Sequence, residues 1–164
     1  METIIAPFTF VKRTSNMRNI SILAIVFLTT LSPRLNAQTG DDSLAIRQAA
    51  LNYIEGWYEG SAERMERALH PELAKRMVST DANSNRSRLS QMSAMTLVQS
   101  TRAGGGKKTP VDQQLKDVAI LDIYNNAASV KIVASGWIDY LHMAKWNGEW
   151  KIVNVLWELK PEKK

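Results

Sequence analysis

The chain has 164 residues, of which 45% are hydrophobic and 23% are charged, and none is cysteine. This is ordinary globular composition, so it excludes a disordered tail, a collagen-like repeat and a disulfide scaffold. The net charge of +5 is concentrated at the start: residues 1–37 hold four basic residues and one acidic residue, whereas the remaining 127 hold 17 basic and 15 acidic residues. Because basic and acidic residues are nearly equal in number after residue 37, no basic stripe is present. We therefore expect no nucleic acid among the partners.

The first 37 residues have the pattern of a secretory signal peptide. An uncharged, mostly apolar run of 12 residues, Ile20–Leu31, follows Arg18. Such a run is too short to cross a bilayer, which takes about 20 residues. The small residue Ala37, at the end of Leu35-Asn36-Ala37, then predicts cleavage after that position. The mature protein is therefore expected to be secreted or periplasmic, with no membrane attachment. Translation from Met17 would give a more compact leader than translation from Met1, and both starts stay open.

Three helices are predicted before residue 104. The first has N-cap side chains at Asp41-Asp42-Ser43 and ends at Gly60. The second is short and ends at His70-Pro71, because the residue before a proline avoids the helical region. The third follows a loop over residues 79–85. Its apolar face is formed by four residues at helical spacing: Leu89, Met92, Met95 and Val98.

From Gln114 the hydrophobic period changes to two, which is typical of strands. Asn125-Asn126 and Asn147-Gly148 tolerate the positive φ of tight hairpins. The glycine-rich stretch 104–110 is interpreted as a flexible linker. These signals predict a single α+β domain over residues 38–164, with three N-terminal helices packed on one face of a curved antiparallel sheet. Its three strands are expected at residues 115–124, 128–145 and 149–159.

Side chains on the inner face of this sheet give a candidate ligand site. Neighbours on a strand alternate faces, so Trp137 shares a face with Asp139, and Asn154 shares one with Trp150. Trp150 and Trp157 are interpreted as core residues. An aromatic pair on the apolar stripe of the first helix completes the predicted pocket. That pocket combines five residues: Tyr53, Trp57, Trp137, Asp139 and Asn154.

The sequence gives no metal or cofactor site. His70 and His142 are the only histidines, so a three-histidine zinc site is excluded, and no HExxH-type spacing is present. His142 has the opposite strand parity to Asp139. The two side chains are therefore expected on opposite faces of the sheet and not as an acid–base pair.

The second hairpin carries a resemblance to a known family. Asp139–Trp157, which reads DYLHMAKWNGEWKIVNVLW, resembles the closing strands of the family named Putative lumazine-binding, in the nuclear transport factor 2-like superfamily. Residues 53–60 and 69–76 are similar to its first-helix and His-Pro segments. The resemblance covers residues 43–160 and implies a cone-shaped α+β domain. Its superfamily includes isomerases, dehydratases, polyketide cyclases and non-catalytic adaptors, so function has to be read from the site.

Taken with the pocket, this resemblance implies an exported, non-catalytic protein that binds a small, flat, partly apolar ligand. Aromatic residues would supply affinity, and Asp139 and Asn154 would orient the ligand; pteridines are suggested by the family name alone. One alternative is a cofactor-independent isomerase, dehydratase or hydrolase of the ketosteroid isomerase-like type, using Tyr53 with Asp139. Residues 73–78, where such relatives carry a catalytic carboxylate, have none. The other alternative is a homodimeric interaction module, since superfamily members often pair through the outer faces of these strands.

Overall fold

The computed structural model describes residues 35–161, with side chains from residue 40. The predicted leader before Leu35 lies outside the described residues. Within them, no helix is both long and apolar enough to cross a bilayer. The elements, in chain order, are α1 (Leu35–Glu59), α2 (Ala62–Ala68), β1 (Leu69–Thr80), β2 (Ser87–Ser93), α3 (Ala94–Arg102), a 3₁₀ turn (Val111–Gln113), β3 (Lys116–Tyr124), β4 (Ala127–Ala134), β5 (Trp137–Trp146) and β6 (Glu149–Leu159).

The six strands form one open sheet in the order β2-β1-β6-β5-β4-β3. All neighbours are antiparallel except β1 and β6, which pair in parallel. The last hairpin turns at Asn147 and Gly148, whose φ angles of 50° and 85° confirm the predicted tight turn. Gly60 ends α1 with a φ of 67°, also as predicted. The domain is therefore α+β, as expected, but its sheet has twice the predicted number of strands.

One of the extra strands, β2, replaces the predicted start of the third helix, and that part of the prediction was wrong. Leu89 and Met92 lie on β2, which pairs with β1 through a loop closed by Asp81. The helix begins only at Ala94, capped by the hydroxyl of Ser93. Apolar residues three apart fit a helix, but pairing with the newly formed β1 edge satisfies the backbone of residues 87–93 instead.

The predicted central strand over residues 128–145 is two strands, because the chain bends at Ser135-Gly136. The Ser135 hydroxyl donates to the carbonyl of Gln113 at 2.7 Å and lies 2.9 Å from the hydroxyl of Tyr58. These contacts hold the bend against α1 and the 3₁₀ turn. Ser135 therefore has a structural role in positioning β5.

The first helix begins six residues before the predicted cap at Asp41-Asp42-Ser43. Asp42 does not cap the helix but accepts hydrogen bonds from Lys145 Nζ at 2.7 Å and from Trp150 Nε1 at 2.9 Å. The hydrogen bond from Lys145, and to a smaller extent the one from Trp150, lowers the pKa of the Asp42 carboxyl below its ordinary value. The contacts tie α1 to the β5–β6 hairpin, and Trp150 is buried, as expected for a core residue.

The core lies between the helices and one face of the sheet. Burial of each large aliphatic side chain contributes about 1.5–3 kcal/mol to folding. The other face of the sheet is exposed. The largest fully buried side chains include Ile46, Ile54, Met65, Ile132, Leu141, Met143 and Ile152.

Candidate ligand-binding site

A cavity of about 260 Å³ lies between the helices and the inner face of the sheet. Its wall is almost wholly apolar, and Leu159, which is 59% exposed, lies at its rim. The wall is contributed by α1, α2, β1, β2, α3, β5 and β6, so the chain must be folded for the cavity to exist. Six side chains form most of it: Trp57, Met65, Met92, Leu97, Trp137 and Trp157.

One end of the cavity is closed by a buried polar cluster. The Lys75 ammonium on β1 donates to Asp139 Oδ1 at 2.5 Å and to the Tyr53 hydroxyl at 2.6 Å. The other carboxylate oxygen of Asp139, Oδ2, accepts hydrogen bonds from Trp137 Nε1 at 2.6 Å and from the Tyr53 hydroxyl at 3.3 Å. Asp139 is 0% exposed and Lys75 6% exposed, so water screens this ion pair very little.

Burial shifts the proton affinities of the cluster. It lowers the pKa of Lys75 below its ordinary value, although the facing Asp139 carboxylate opposes the change. Burial likewise raises the pKa of Tyr53 well above its ordinary value, and here the negative charge of Asp139 acts in the same direction. Tyr53 therefore stays a neutral hydroxyl, while Lys75 gives up its proton more readily than a lysine on the surface.

The ammonium of Lys75 keeps capacity for one further partner. It has three N–H donors, and among the described residues its hydrogen-bond acceptors are Asp139 and Tyr53. The nitrogen also lies 4.7 Å from the centre of the Trp157 ring, in cation–π contact. Because Lys75 lines the cavity, its remaining donor is the polar group best placed to meet a ligand.

Trp57 is held in the cavity wall by the glycine-rich loop after α3. A Cβ on Gly105 would lie 2.4 Å from Trp57 Cη2, and one on Gly106 would lie 2.4 Å from the Trp57 carbonyl oxygen. Gly106 is buried, and its carbonyl oxygen accepts a 3.1 Å hydrogen bond from the backbone N–H of Thr109. Interpreting residues 104–110 as a linker therefore missed their packing role, since these glycines let backbone approach an indole closely.

The structure brings together four of the five predicted site residues. Tyr53, Trp57 and Trp137 line the cavity, and Asp139 lies directly behind the polar end. Asn154 does not join them. It accepts from Arg76 at 2.9 Å and lies 3.2 Å from His142 on the outer face.

A bulge in β6 explains the error at Asn154. The register with β5 shifts between the pairs His142–Asn154 and Met143–Ile152, which leaves Val153 unpaired. An extra residue reverses the alternation beyond it. As a result Trp157, which was interpreted as a core residue, lies on the cavity side. His142 and Asp139 do lie on opposite faces, as predicted.

Lys75 lines the cavity but was not among the residues predicted for the site. It follows Leu73 and precedes Met77 at a period of two, which is the pattern of an inward face with a charge at its centre. That pattern could be read only after residues 69–80 were assigned to a strand. Within residues 35–161, no three histidine, aspartate or glutamate side chains converge on a common metal position.

Comparison with known proteins agrees with this architecture. The model of the Putative lumazine-binding family matches residues 41–158, which is most of the chain and includes every cavity residue except Leu159. The chain belongs to this family. No curated protein matches its sequence.

Solved structures share the fold of this family member. One is an NTF2-like protein of unknown function from Shewanella baltica, 21% identical, with a TM-score of 0.56 over 74% of this chain and 96% of its own. An NTF2-like protein of unknown function from Silicibacter pomeroyi is 13% identical, with a TM-score of 0.57 over 74% and 98% of the two chains. An NTF2-like protein with a cystatin-like fold from Novosphingobium aromaticivorans is 10% identical, with a TM-score of 0.57 over 90% and 94%. At these identities the likeness is one of fold alone.

Proposed function

We propose that this protein binds a small, flat, partly apolar molecule in the cavity and does not catalyse its conversion. The observation that carries the proposal is an apolar cavity of about 260 Å³ with a single cation, Lys75, at one end. Concave apolar sites with few polar groups are the usual form of small-molecule sites. Since a water takes about 30 Å³ of the liquid, the space suits a ligand on the order of ten non-hydrogen atoms.

The walls and the polar end favour different parts of such a ligand. Three indoles, of Trp57, Trp137 and Trp157, offer flat surfaces and ring edges to an aromatic or conjugated body. At the polar end, Lys75 and Tyr53 favour an acceptor such as a carbonyl or hydroxyl oxygen. The charges of Lys75 and Asp139 cancel, so a neutral ligand is preferred to an anion. A carbonyl-bearing heterocycle of the kind in the family's name meets these requirements.

The isomerase alternative has less support. Asp139, the carboxylate that this alternative pairs with Tyr53, is 0% exposed and already accepts hydrogen bonds from three side chains. Residues 73–78, where ketosteroid isomerase-like relatives carry a catalytic carboxylate, hold Lys75 and no carboxylate. A carboxylate that cannot reach the ligand cannot abstract its proton. Binding without abstraction of a proton from the ligand is therefore the function that this geometry favours.

Replacing Trp57 by alanine tests the cavity as the binding site. In a thermal-shift screen of lumazine, other pterins, flavins and small aromatics, we expect a hit to raise the melting temperature of the unaltered chain. A ligand at 100 times its Kd stabilises by about 2.7 kcal/mol. For Trp57→Ala we expect affinity to fall about tenfold or more, because a large aromatic contact area is lost. Trp146→Ala is the matched control, since Trp146 is 54% exposed and does not line the cavity. Equal losses in both variants would place the ligand elsewhere.

Export of the mature chain, residues 38–164, remains a proposal based on the leader pattern. Cleavage after Ala37 would leave Asp41 in the first turn of the processed helix, where negative charge is favourable. Expression in a double-membraned bacterium should yield a periplasmic product whose amino terminus is Gln38. A cytoplasmic product that retains residues 18–37 would contradict this proposal and leave the binding proposal intact.

Homodimer formation is supported by the outer face of the sheet. Val78, Leu89, Tyr140 and Leu156 are each 45–60% exposed there, on neighbouring strands. Pairing of two such faces would remove these side chains from water. Sedimentation of the full chain distinguishes dimer from monomer, and a monomer at every accessible concentration would reject this pairing.

A further inference from the structure

We propose that Lys75 captures a small aromatic or apolar aldehyde or ketone covalently, as an imine formed in the cavity. This inference rests on the proposed binding function and names the chemical class of the ligand. It assigns a nucleophile to the polar end of the cavity, where binding alone requires only a hydrogen-bond donor.

The position of Lys75 carries the inference. Among the lysines of residues 40–161 it is the one that is buried, and its side chain borders a cavity walled by indoles and methionines. A lysine in an apolar site is a better nucleophile than one in water, because desolvation favours the free amine. A carbonyl ligand held by the aromatic wall would present its polar end to the Lys75 nitrogen.

The neighbours of Lys75 supply the proton transfers. Asp139 Oδ1 lies 2.5 Å from the nitrogen and can take the ammonium proton directly. The Tyr53 hydroxyl lies 2.6 Å from the same nitrogen and also reaches the carboxyl group, so it can relay that proton. Burial lowers the pKa of Lys75, which makes the transfer to Asp139 less costly than it is for an exposed pair.

The step balances without any further reactant. The ammonium of Lys75 loses a proton to Asp139, and the free amine forms a C–N bond to the carbonyl carbon while the C=O electron pair moves to oxygen. The carbinolamine oxygen takes up the proton that Asp139 held, through Tyr53, together with a second proton from the nitrogen, and leaves as water. The nitrogen of the resulting iminium ion keeps one proton and its positive charge. The ion therefore faces the Asp139 carboxylate as the ammonium did, with Trp157 still in cation–π contact.

Reductive trapping of the full chain with benzaldehyde and sodium cyanoborohydride tests the inference. Peptide mass mapping over a time course gives the rate of benzylation at each lysine within one sample. Lys116 is the internal control, because it is also ion-paired, 3.4 Å from Glu55, but lies on the surface with its side chain 40% exposed. We expect Lys75 to react about tenfold or more faster than Lys116. Benzyl alcohol, which lacks the carbonyl, should slow the reaction at Lys75 alone.

The outcomes separate the inference from the binding proposal. If benzaldehyde and benzyl alcohol both raise the melting temperature but Lys75 reacts no faster than Lys116, covalent capture is overturned and binding stands. If neither compound raises the melting temperature and Lys75 reacts no faster than Lys116, covalent capture is overturned. Neither compound then supports the cavity as a binding site. Lys75→Arg keeps the charge but forms no imine, so residue 75 should carry no benzyl adduct while Lys116 is still benzylated at its usual rate. Should that variant fail to fold, the rate ratio in the unaltered chain still decides.

Discussion

Replacing Asp139 by leucine is expected to destabilise the fold by about 3–5 kcal/mol, since it leaves the Lys75 charge buried without its counter-ion. The same change removes the acceptor of the Trp137 indole and of the Tyr53 hydroxyl. Urea titration followed by far-UV circular dichroism measures the loss. Removal of Lys75 as well, in the double variant Asp139→Leu with Lys75→Met, should recover at least about 2 kcal/mol of it. The recovery stays incomplete because each orphaned donor still costs about 1–3 kcal/mol.

The control for Asp139 is an ion pair on the surface. Lys116→Met breaks the contact with Glu55 and should cost less than about 1 kcal/mol, because water and salt screen such pairs. If Asp139→Leu were as mild as this control, the polar cluster would not be the buried ion pair described above. Additive losses in the double variant would contradict the coupling between Lys75 and Asp139.

Replacing Gly106 by alanine is expected to destabilise by about 1–3 kcal/mol and to displace Trp57 from the cavity wall. The new methyl group would meet the backbone carbonyl of Trp57 at 2.4 Å, and backbone cannot rotate aside as a flexible side chain can. We therefore expect weaker binding as well as a lower urea midpoint. The fluorescence spectrum of the folded state should shift as Trp57 changes its surroundings.

A second glycine gives the matched comparison. A Cβ on Gly136 meets no atom within 4 Å, so Gly136→Ala should leave both stability, within about 0.5 kcal/mol, and affinity unchanged. Equal behaviour of the two variants would mean that residues 104–106 are the loose linker that their composition suggests. A loss at Gly106 alone would assign them to the site.

Local signals in the sequence were enough for the hairpins but not for the register. Asn147-Gly148 predicts its turn because few residues tolerate positive φ, and the structure has that turn. Parity along β5 also placed Trp137 with Asp139 on the inner face. The same rule failed along β6, since the bulge at Val153 depends on pairing with a partner strand and leaves no mark in composition.

Lys75 illustrates the second limit. Residues 69–80 become a strand because β6 and β2 pair with them on either side, a long-range choice that local propensity does not decide. Without that strand, the inward position of Lys75 cannot be inferred from the sequence. Burying an unpaired charge costs free energy, so a charged side chain is buried where it has a partner. For Lys75 that partner is Asp139, which comes from a distant part of the chain.

The most direct test of the cavity as a ligand site is a crystal structure of the chain soaked with benzyl alcohol. We expect the benzyl alcohol ring to lie among the indoles of Trp57, Trp137 and Trp157, with its hydroxyl oxygen within hydrogen-bond distance of Lys75 Nζ. Density for the alcohol at another surface only, or a cavity filled by the protein's own side chains, would contradict this expectation.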